Sequence, residues 1–324
     1  MANLTTTYVG LKLKNPVIVS SSGLVDSVEK IKKIEAAGAG AVVMKSLFEE
    51  QINHEAGRMM GDNDYPEAAD YILNYSKSNS VDKYLDIIEQ AKKEVNIPIF
   101  ASINCVSDRD WTDFAKKVEE VGADGLELNV FILPVDGESS AVYENKYLKL
   151  VEKVRNTIKI PLVIKISSYF TNVLHMVNQL YAIGANAVVL FNRLYEPDIN
   201  IEEMKMVSSE VLSNPSDLRQ SLRWVSLISD RQKDIQLSAS TGVHDYKAII
   251  KLLLAGATTV QVCSVLYKNG VEHLTEMISE FESWMDAKGI ESVEKIRGTM
   301  NYRNHQDPST WERSQFMRYF SNRD

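Results

Sequence analysis

The sequence predicts an α/β protein whose fold is a (β/α)8 barrel, also called a TIM barrel. Eight apolar runs rich in valine, isoleucine and leucine alternate with amphipathic stretches along the 324 residues, as expected of repeated β/α units. Most of these runs are continuous, which is typical of parallel strands covered on both faces. Several follow a Gly-Ala turn, where the preceding helix is expected to stop. An open doubly wound sheet is the structural alternative.

The predicted strands are short and recur along the whole chain. They cover residues 16–19, 41–44, 98–102, 125–130, 161–166, 187–191, 235–239 and 259–262. The spacing of apolar residues predicts helices over 28–36, 110–121, 147–157, 245–255 and 271–288. Ahead of the first strand, residues 5–13 predict a short hairpin that covers the bottom of the barrel.

Two connections are too long to be simple turns. Residues 47–80 follow the second strand, and residues 193–234 follow the sixth. Long loops in compact domains are usually functional, and both insertions should emerge at the C-terminal face, where barrels build their active sites. The aromatic-rich tail, about 289–324, is expected to pack on the barrel or on a partner subunit.

The charge and the apolar pattern argue against several classes of partner. A net charge of −8 and a pI near 5.3 argue against nucleic acid, which is bound mainly through Lys and Arg contacts to phosphates. No apolar run reaches membrane-spanning length and the N-terminus lacks a signal peptide, so we expect a cytoplasmic protein without membrane contact. The two cysteines, Cys105 and Cys263, show no metal-ligand spacing, and they fit a reducing compartment.

The stretch from residue 237 to residue 270 predicts a phosphate site. Two small-residue turns, 238–242 and 263–264, end the last two strands. Small side chains let a ligand approach the backbone closely, and N–H groups at a following helix N-terminus favour a phosphate. Either turn alone could be an ordinary tight connection, but two in consecutive β/α units resemble the standard phosphate site of a β/α barrel. The predicted ligand is a phosphorylated cofactor or substrate.

Polar side chains stand at or near the ends of the intervening strands. They are Lys45, Asn104, Asn129, Lys165 and Asn192. A lysine inside an apolar run such as LVIKIS is costly to bury unless it pairs with an anion or an electron-rich ring. The alternative is a lysine that snorkels to solvent from the strand end. Asparagine both donates and accepts hydrogen bonds, which suits the edge of a flavin or a pyrimidine.

Five motifs occur in order along nearly the whole chain. They read LKNPVIVSSSG, VVMKS, GLELN, VIKIS and GATTVQVCSVLY. Together they resemble the dihydroorotate dehydrogenase family. The resemblance implies a single FMN-binding barrel domain over residues 1–324, in which the flavin oxidises dihydroorotate to orotate in pyrimidine synthesis. The cytosolic members of that family also suggest a homodimer.

The resemblance assigns a cofactor-binding role to one set of residues. These are Ser21, Ser22, Gly23, Lys45, Ser46, Asn104, Asn129, Lys165, Thr241, Gly242, Cys263 and Ser264. The last four would hold the FMN phosphate, and the lysine of strand five would stabilise negative charge on the reduced ring. The set implied for dihydroorotate or orotate overlaps it and consists of Lys45, Asn129, Asn192 and Arg193.

The loop after the fourth strand departs from the family pattern. The family places a Cys or Ser shortly after the strand-four Asn, as the base that removes the C5 proton of dihydroorotate. In this chain Ile132 occupies that position, and its side chain cannot accept a proton. Cys105, Ser139 and Ser140 are the candidate substitutes. The Asn-rich segment that binds the orotate carboxylate after strand two is also not recognisable.

Three hypotheses therefore remain open at the level of sequence. The first is an FMN oxidoreductase that acts on dihydroorotate or on another small planar substrate. The second is an FMN-binding barrel that has lost catalysis and serves as a scaffold or sensor. The third is a Schiff-base aldolase that uses Lys165 or Lys45 as the nucleophile. The sequence does not identify the electron acceptor, but a soluble acceptor or partner is favoured over a quinone.

Overall fold

The computed structural model of the chain describes residues 1–48, 66–105, 111–193 and 196–312. For residues 66–79, Cys105 and Ser309 it describes the backbone alone. Among the helices described, none is long and apolar enough to cross a membrane.

Eight parallel strands close into a barrel, which confirms the predicted (β/α)8 fold. The barrel strands are β3 (Val17–Val19), β4 (Ala41–Val43), β6 (Ile99–Cys105), β7 (Gly125–Val130), β8 (Leu162–Ile166), β9 (Ala187–Leu190), β12 (Gln236–Ala239) and β13 (Thr259–Val262). They are ordered β4-β3-β13-β12-β9-β8-β7-β6, and the pairing of β4 with β6 closes the ring. Each overlaps a predicted strand. Continuous runs of β-branched residues mark such strands because both faces of a barrel strand are buried.

Helices follow the barrel strands and cover them from outside. They are α1 (Val28–Ala36), α2 (Pro66–Glu94), α3 (Trp111–Glu120), α4 (Ser140–Arg155), α5 (Val173–Ala182), α6 (Leu218–Arg231), α7 (Tyr246–Ala255), α8 (Ser264–Asn269), α9 (His273–Ala287), α10 (Val293–Ile296) and α11 (Ser309–Glu312). Local signals fix their ends. The Asp245 side chain accepts from the Ala248 N–H at the start of α7, and Gly256, in the left-handed conformation, ends that helix.

The N-terminal hairpin closes the bottom of the barrel, as predicted. Its strands are β1 (Thr6–Tyr8) and β2 (Leu11–Leu13), paired antiparallel. Tyr8 and Leu13 are buried in a cluster with inward-facing residues of the barrel strands, including Phe100, whose ring lies 5.9 Å from that of Tyr8. The lower interior of the barrel is therefore filled mainly by apolar side chains, and a site is expected toward the other end.

The described part of the insertion after β4 contains a short strand and the first half of a long helix. Strand β5 (Leu47–Phe48) pairs with β6, and helix α2 begins at Pro66 and runs for 29 residues. The prediction of a loop over 47–80 is therefore wrong from residue 66 onward, because α2 is one continuous helix rather than a loop followed by a helix. The remaining positions of this insertion lie outside the described residues.

The insertion after β9 carries its own hairpin before it reaches α6. Strands β10 (Pro197–Asn200) and β11 (Lys205–Ser208) pair antiparallel, and a short 3-10 turn (Pro215–Asp217) leads into the helix. The described part of the C-terminal tail lies against α6 and α7. The Gly298 and Met300 N–H groups donate to carbonyls of α7, and that of Tyr302 donates to one of α6.

Candidate active site

A cavity of about 570 Å³ opens at the carboxyl ends of the barrel strands. Its volume falls within the range usual for small-molecule and cofactor sites. Eight residues of the predicted sets line it: Ser21, Lys165, Asn192, Arg193, Thr241, Gly242, Cys263 and Ser264. The structure thus brings together the ends of five strands, at the face where barrel enzymes place their chemistry.

The turn after β12 forms one side of the predicted phosphate site, called here the phosphate cradle, which consists of residues 240–242 and 263–264. Thr241 and Gly242 both have positive φ, 76° and 80°, and the Thr241 hydroxyl donates to the Phe191 carbonyl at 3.0 Å. A Cβ on Gly242 would lie 2.1 Å from the backbone nitrogen of Leu218. Only glycine fits there, because the turn lies directly against the start of α6.

The turn after β13 forms the other side of the cradle. Cys263 is the N-cap of α8, and its side chain makes no capping hydrogen bond. The first N–H groups of a helix have no intrahelical partner, and α8 begins at residues that line the cavity. Burial raises the pKa of the Cys263 thiol, while a hydrogen bond with Ser22 and the charge of Lys165 act in the opposite direction. The thiol is therefore protonated at neutral pH and serves as a small polar wall rather than a nucleophile.

Ser213, which sequence reasoning missed, joins the two sides of the cradle. Its N–H donates to the Ser264 hydroxyl at 2.9 Å, and its own hydroxyl lies 3.0 Å from His244 Nε2 and 3.4 Å from the Gly242 nitrogen. Lys268 Nζ donates to the Ser213 carbonyl at 2.9 Å. The insertion after β9 thus folds back over the cradle. No sequence motif predicts this contact.

Burial, followed by the nearby charge of Lys268, lowers the pKa of His244 below its usual 6.5. The imidazole is therefore neutral at pH 7, so its contact with Ser213 is a hydrogen bond between neutral groups. The positive charge beside the cradle comes from Lys268.

Lys165 is buried inside the barrel rather than extended to solvent. Only 6% of its side chain is exposed, and Nζ donates to the hydroxyl of Ser20 at 3.0 Å and to Gln261 Oε1 at 2.9 Å. The Glu127 carboxylate lies 3.7 Å from Nζ and accepts from Gln261 Nε2 at 2.7 Å. The snorkelling alternative for this lysine is therefore wrong, since its charge has partners within the barrel.

Glu127 and Gln261 could have been found from the sequence. Each lies two positions before a residue that the family resemblance did select, Asn129 and Cys263, on the same strand. Residues two apart on a strand face the same side, so both side chains had to point into the barrel. The register of the sheet also sets Asn104 beside Asn129, and Asn129 beside Lys165.

A chain of serine hydroxyls supports the other wall of the cavity. Ser46 Oγ lies 2.9 Å from Ser21 Oγ and 2.7 Å from Ser102 Oγ, and its N–H donates to Ser21 Oγ at 2.8 Å. Gly23 approaches the cavity-lining Tyr267 so closely that a Cβ on it would lie 3.0 Å from the tyrosine hydroxyl. This wall is thus fixed by hydrogen bonds between β3, β4 and β6.

The four residues predicted for the substrate occupy different environments. Lys45 is exposed. Asn192 Nδ2 donates to Asn129 Oδ1 at 2.9 Å, so the two amides already orient each other. Arg193 is engaged by its own loop: it donates to Asp217 at 2.7 Å and to two main-chain carbonyls of residues 210 and 211. Its guanidinium shapes the loop as well as lining the cavity.

The expected base position lies away from the 570 Å³ cavity. Ile132 instead lines a second cavity of about 220 Å³, together with the aromatic residues Tyr143, Tyr147 and Phe170. Its N–H donates to the Tyr147 hydroxyl at 3.0 Å. Ser139 is the exposed N-cap of α4, and Ser140 lines the second cavity. The side chain of Cys105 lies outside those described.

The fold and the cavity together define a barrel enzyme with a phosphate-type cradle and a buried, charge-paired lysine at its C-terminal face. The family model for dihydroorotate dehydrogenase matches residues 3–285, and the chain belongs to this family. The resemblance noted in the sequence is thereby confirmed, and the chain is an oxidoreductase of the kind that acts on CH–CH groups.

Several relatives share almost their whole length with this chain. Three of them, from different organisms, are named dihydroorotate dehydrogenase B (NAD(+)), catalytic subunit. The one from Thermoplasma volcanium is 29% identical over 311 residues, covering 92% of this chain and 98% of the relative. That from Methanosarcina acetivorans is 27% identical, with 92% and 95% coverage. That from Caldicellulosiruptor bescii is 24% identical, with 92% and 99% coverage.

Proposed function

We propose that this chain binds FMN and uses it to oxidise dihydroorotate to orotate. The observation that supports this most directly is the 570 Å³ cavity, in which the phosphate cradle and the buried ammonium of Lys165 line one space. FMN matches these two features. Its phosphate would lie in the cradle, and its ring, which becomes negative on reduction, would lie near the ammonium. The family membership of the chain supports the same reaction class.

The residues of the cavity fit FMN in size, polarity and charge. The cradle lines the cavity with residues 240–242 and 263–264, whose small side chains would admit a phosphate close to the backbone. Ser21, held by Ser46, would flank the isoalloxazine ring, and Asn104 and Asn129 would bind its polar edge. When bound, FMN supplies the acceptor for the hydride that leaves C6 of dihydroorotate.

The chain's own residues would bind and orient the substrate. The amides of Asn129 and Asn192 are oriented by their mutual hydrogen bond. Their remaining donor and acceptor groups could then bind the polar edge of orotate. Lys45, exposed at the mouth, would reach between cofactor and substrate. Arg193 would help to bind the carboxylate of the substrate through those guanidinium N–H groups that make no bond to its own loop.

Proton removal from C5 is the step for which this chain departs from its family. The side chain of Ile132 cannot act as a base, and a general base is typically worth about 10² to 10⁴-fold in rate. Cys105, which follows Asn104 at the end of β6, and the exposed Ser139 and Ser140 are the candidate replacements. Without such a base, oxidation of dihydroorotate should be slow.

We further propose NAD+ as the final electron acceptor, reached through another subunit. The named relatives are NAD(+)-type catalytic subunits, a description that supports both parts of the proposal. A homodimer of this chain is the assembly that we expect at the core of such a complex.

The decisive experiment starts from the colour of the purified protein. We expect a flavin absorbance spectrum and its anaerobic bleaching by millimolar dihydroorotate, with orotate formed in equal amount. A flavin that does not bleach would favour the second hypothesis, a barrel that retains FMN without this activity, or a different substrate. A colourless protein that takes up no added FMN at micromolar concentration would overturn the proposal.

The Schiff-base hypothesis has little support from Lys165. Its Nζ donates to two oxygens and faces a carboxylate, whereas a Schiff-base nucleophile must be a free amine. Borohydride trapping with a sugar phosphate, followed by mass spectrometry, would reveal an adduct at either Lys45 or Lys165 if this hypothesis were correct.

A further inference from the structure

Glu127 is a buried carboxylate inside the barrel, beside the cavity but not among its lining residues. Only 2% of its side chain is exposed. Oε2 accepts from Gln261 at 2.7 Å, while Oε1 lies 3.7 Å from Lys165 Nζ and has no hydrogen-bond partner among the described residues. A buried carboxylate of this kind is costly unless a cation compensates it. Lys165 is the cation that meets this carboxylate.

Gln261 links the two charges and fixes their relative position. Its Oε1 accepts from Lys165 and from the Ser20 hydroxyl, so its amide nitrogen must face Glu127, to which it donates. Lys165 and Gln261 line the cavity, as does Ser20. The ammonium therefore stands between the cavity on one side and Glu127 on the other, and its charge is compensated by the chain itself.

The surroundings make this compensation strong. Below the pair, the barrel interior is filled by apolar side chains that include Val163, Val189 and Phe100, all nearly inaccessible to solvent. Charges interact more strongly in such a medium than in water. The hydroxyls of Tyr8, Ser238 and Thr259 are buried in the same interior, where Ser238 and Thr259 lie within reach of the Tyr8 hydroxyl. None of them carries a charge that could replace Lys165.

We propose that Glu127 is a positioning residue that lowers the reduction potential of the bound flavin through Lys165, an inference that rests on the proposed FMN function. Reduction adds negative charge to the isoalloxazine ring, and a nearby ammonium stabilises that charge. Glu127 holds the ammonium within the barrel and offsets part of its field. The reduced cofactor is consequently a stronger reductant than it would be beside an unpaired lysine.

The test compares midpoint potentials of the FMN-loaded protein and its variants, measured anaerobically against reference dyes. Glu127→Gln should increase the ratio of the affinities for reduced and oxidised FMN at least tenfold, which for a two-electron couple is a positive shift of about 30 mV. Glu202→Gln, which removes an exposed carboxylate on the turn between β10 and β11, should leave the potential unchanged. A purely structural role for Glu127 would alter thermal stability but not the potential.

A second background tests whether Lys165 carries the effect. In Lys165→Met protein saturated with added FMN, the additional Glu127→Gln change should shift the potential by less than half of its effect in the original protein. An equal shift in both backgrounds would mean that Glu127 acts on the ring directly, and the inference would be wrong. If Glu127→Gln alone does not fold, Glu127→Asp replaces it, because the retracted carboxylate should still give a positive shift, and no shift would again overturn the inference.

The outcomes separate this inference from the function on which it rests. A wild-type protein that binds no FMN overturns both. A wild-type protein that binds FMN, together with a Glu127→Gln variant of unchanged potential, overturns the inference alone. Titration of oxidised FMN into each apoprotein supplies a readout independent of turnover, and we expect Glu127→Gln to change this affinity less than the affinity for reduced FMN.

Discussion

The two ends of the active-site mouth differ in how closely they follow the family pattern. At the ends of β12 and β13, the phosphate cradle keeps small residues, left-handed backbone and a glycine that admits no side chain. At the end of β7, the position of the base is filled by Ile132, which packs beside a separate aromatic cavity. The predicted sites of cofactor binding and of proton transfer therefore lie in distinct parts of the barrel, and one can change while the other is kept.

This difference teaches that packing constraints alone can preserve the residues of a predicted cofactor site. Gly242 cannot be replaced without displacing α6, and Lys165 cannot be removed without stranding Glu127. The loop after β7 has no such constraint, since residues 133–140 are exposed. We therefore expect mutations in the loop to change the chemistry alone, and mutations in the cradle or the ion pair to threaten folding as well.

The largest expected effect tests the β7 loop. Ile132→Cys should raise the rate of flavin reduction by dihydroorotate about 10² to 10⁴-fold if the missing base is the only defect. Stopped-flow absorbance under anaerobic conditions measures this rate directly. Leu133→Cys places a thiol on the adjacent, half-exposed residue and should leave the rate unchanged. Equal rates in all three proteins would show that the substrate pocket itself has been rebuilt.

The next largest effect tests the Lys165–Glu127 ion pair next to the proposed cofactor site. Lys165→Ala leaves Glu127 buried without its cation, and breaking a buried pair in this way costs about 3 to 5 kcal/mol of stability. Denaturant unfolding of the apoprotein measures the loss, and FMN retention should fall as well. The double variant Lys165→Met with Glu127→Gln should recover much of the stability but not the FMN retention. Full FMN occupancy in Lys165→Ala protein would mean that the lysine is wrongly assigned.

Most of the fold could be predicted because its signals are local. Runs of β-branched residues and the glycines that stop helices are read directly from the sequence, and the eight strands lie where they indicate. Helix α2 was missed over its first half because residues 66–80 mix aromatic, acidic and polar types without a clear apolar stripe. The start of α4, at Ser140 rather than near 147, was missed for a similar reason.

The candidate site could be predicted only where strand ends define it. Asn129, Lys165 and the cradle follow from the rule that every barrel strand delivers its last side chains to one face. Ser213 does not, because its position depends on how a long insertion folds back onto Ser264. The partners of Arg193 depend on the same insertion. Tertiary contacts of this kind leave no periodic pattern in the sequence.

A moderate effect is expected when the packing of the cradle against α6 is disturbed. Gly242→Ala places a methyl group against the Leu218 backbone at a residue with positive φ, and such strain is worth about 1 to 3 kcal/mol. FMN affinity, measured by fluorescence quenching, should fall at least tenfold. Gly137→Ala is the matched control, because Gly137 also has positive φ but has nothing within 4 Å of a Cβ. If the two variants bind FMN equally, the cradle does not depend on close packing at Gly242.

The smallest effect concerns the pH dependence of the cradle through His244. Its pKa is lowered in the folded state by burial and by Lys268, with Asp217 and Asp245 opposing. The unfolded chain therefore binds more protons, so this residue's contribution to stability is complete above pH 6.5 and is lost as the pH falls below it. When the pH falls from 7.5 to 5.5, the melting temperature of the wild-type protein should decrease more than that of His244→Gln. The glutamine can keep the contact with Ser213 but does not titrate. Parallel melting curves for the two proteins would show that the imidazole is not coupled to folding.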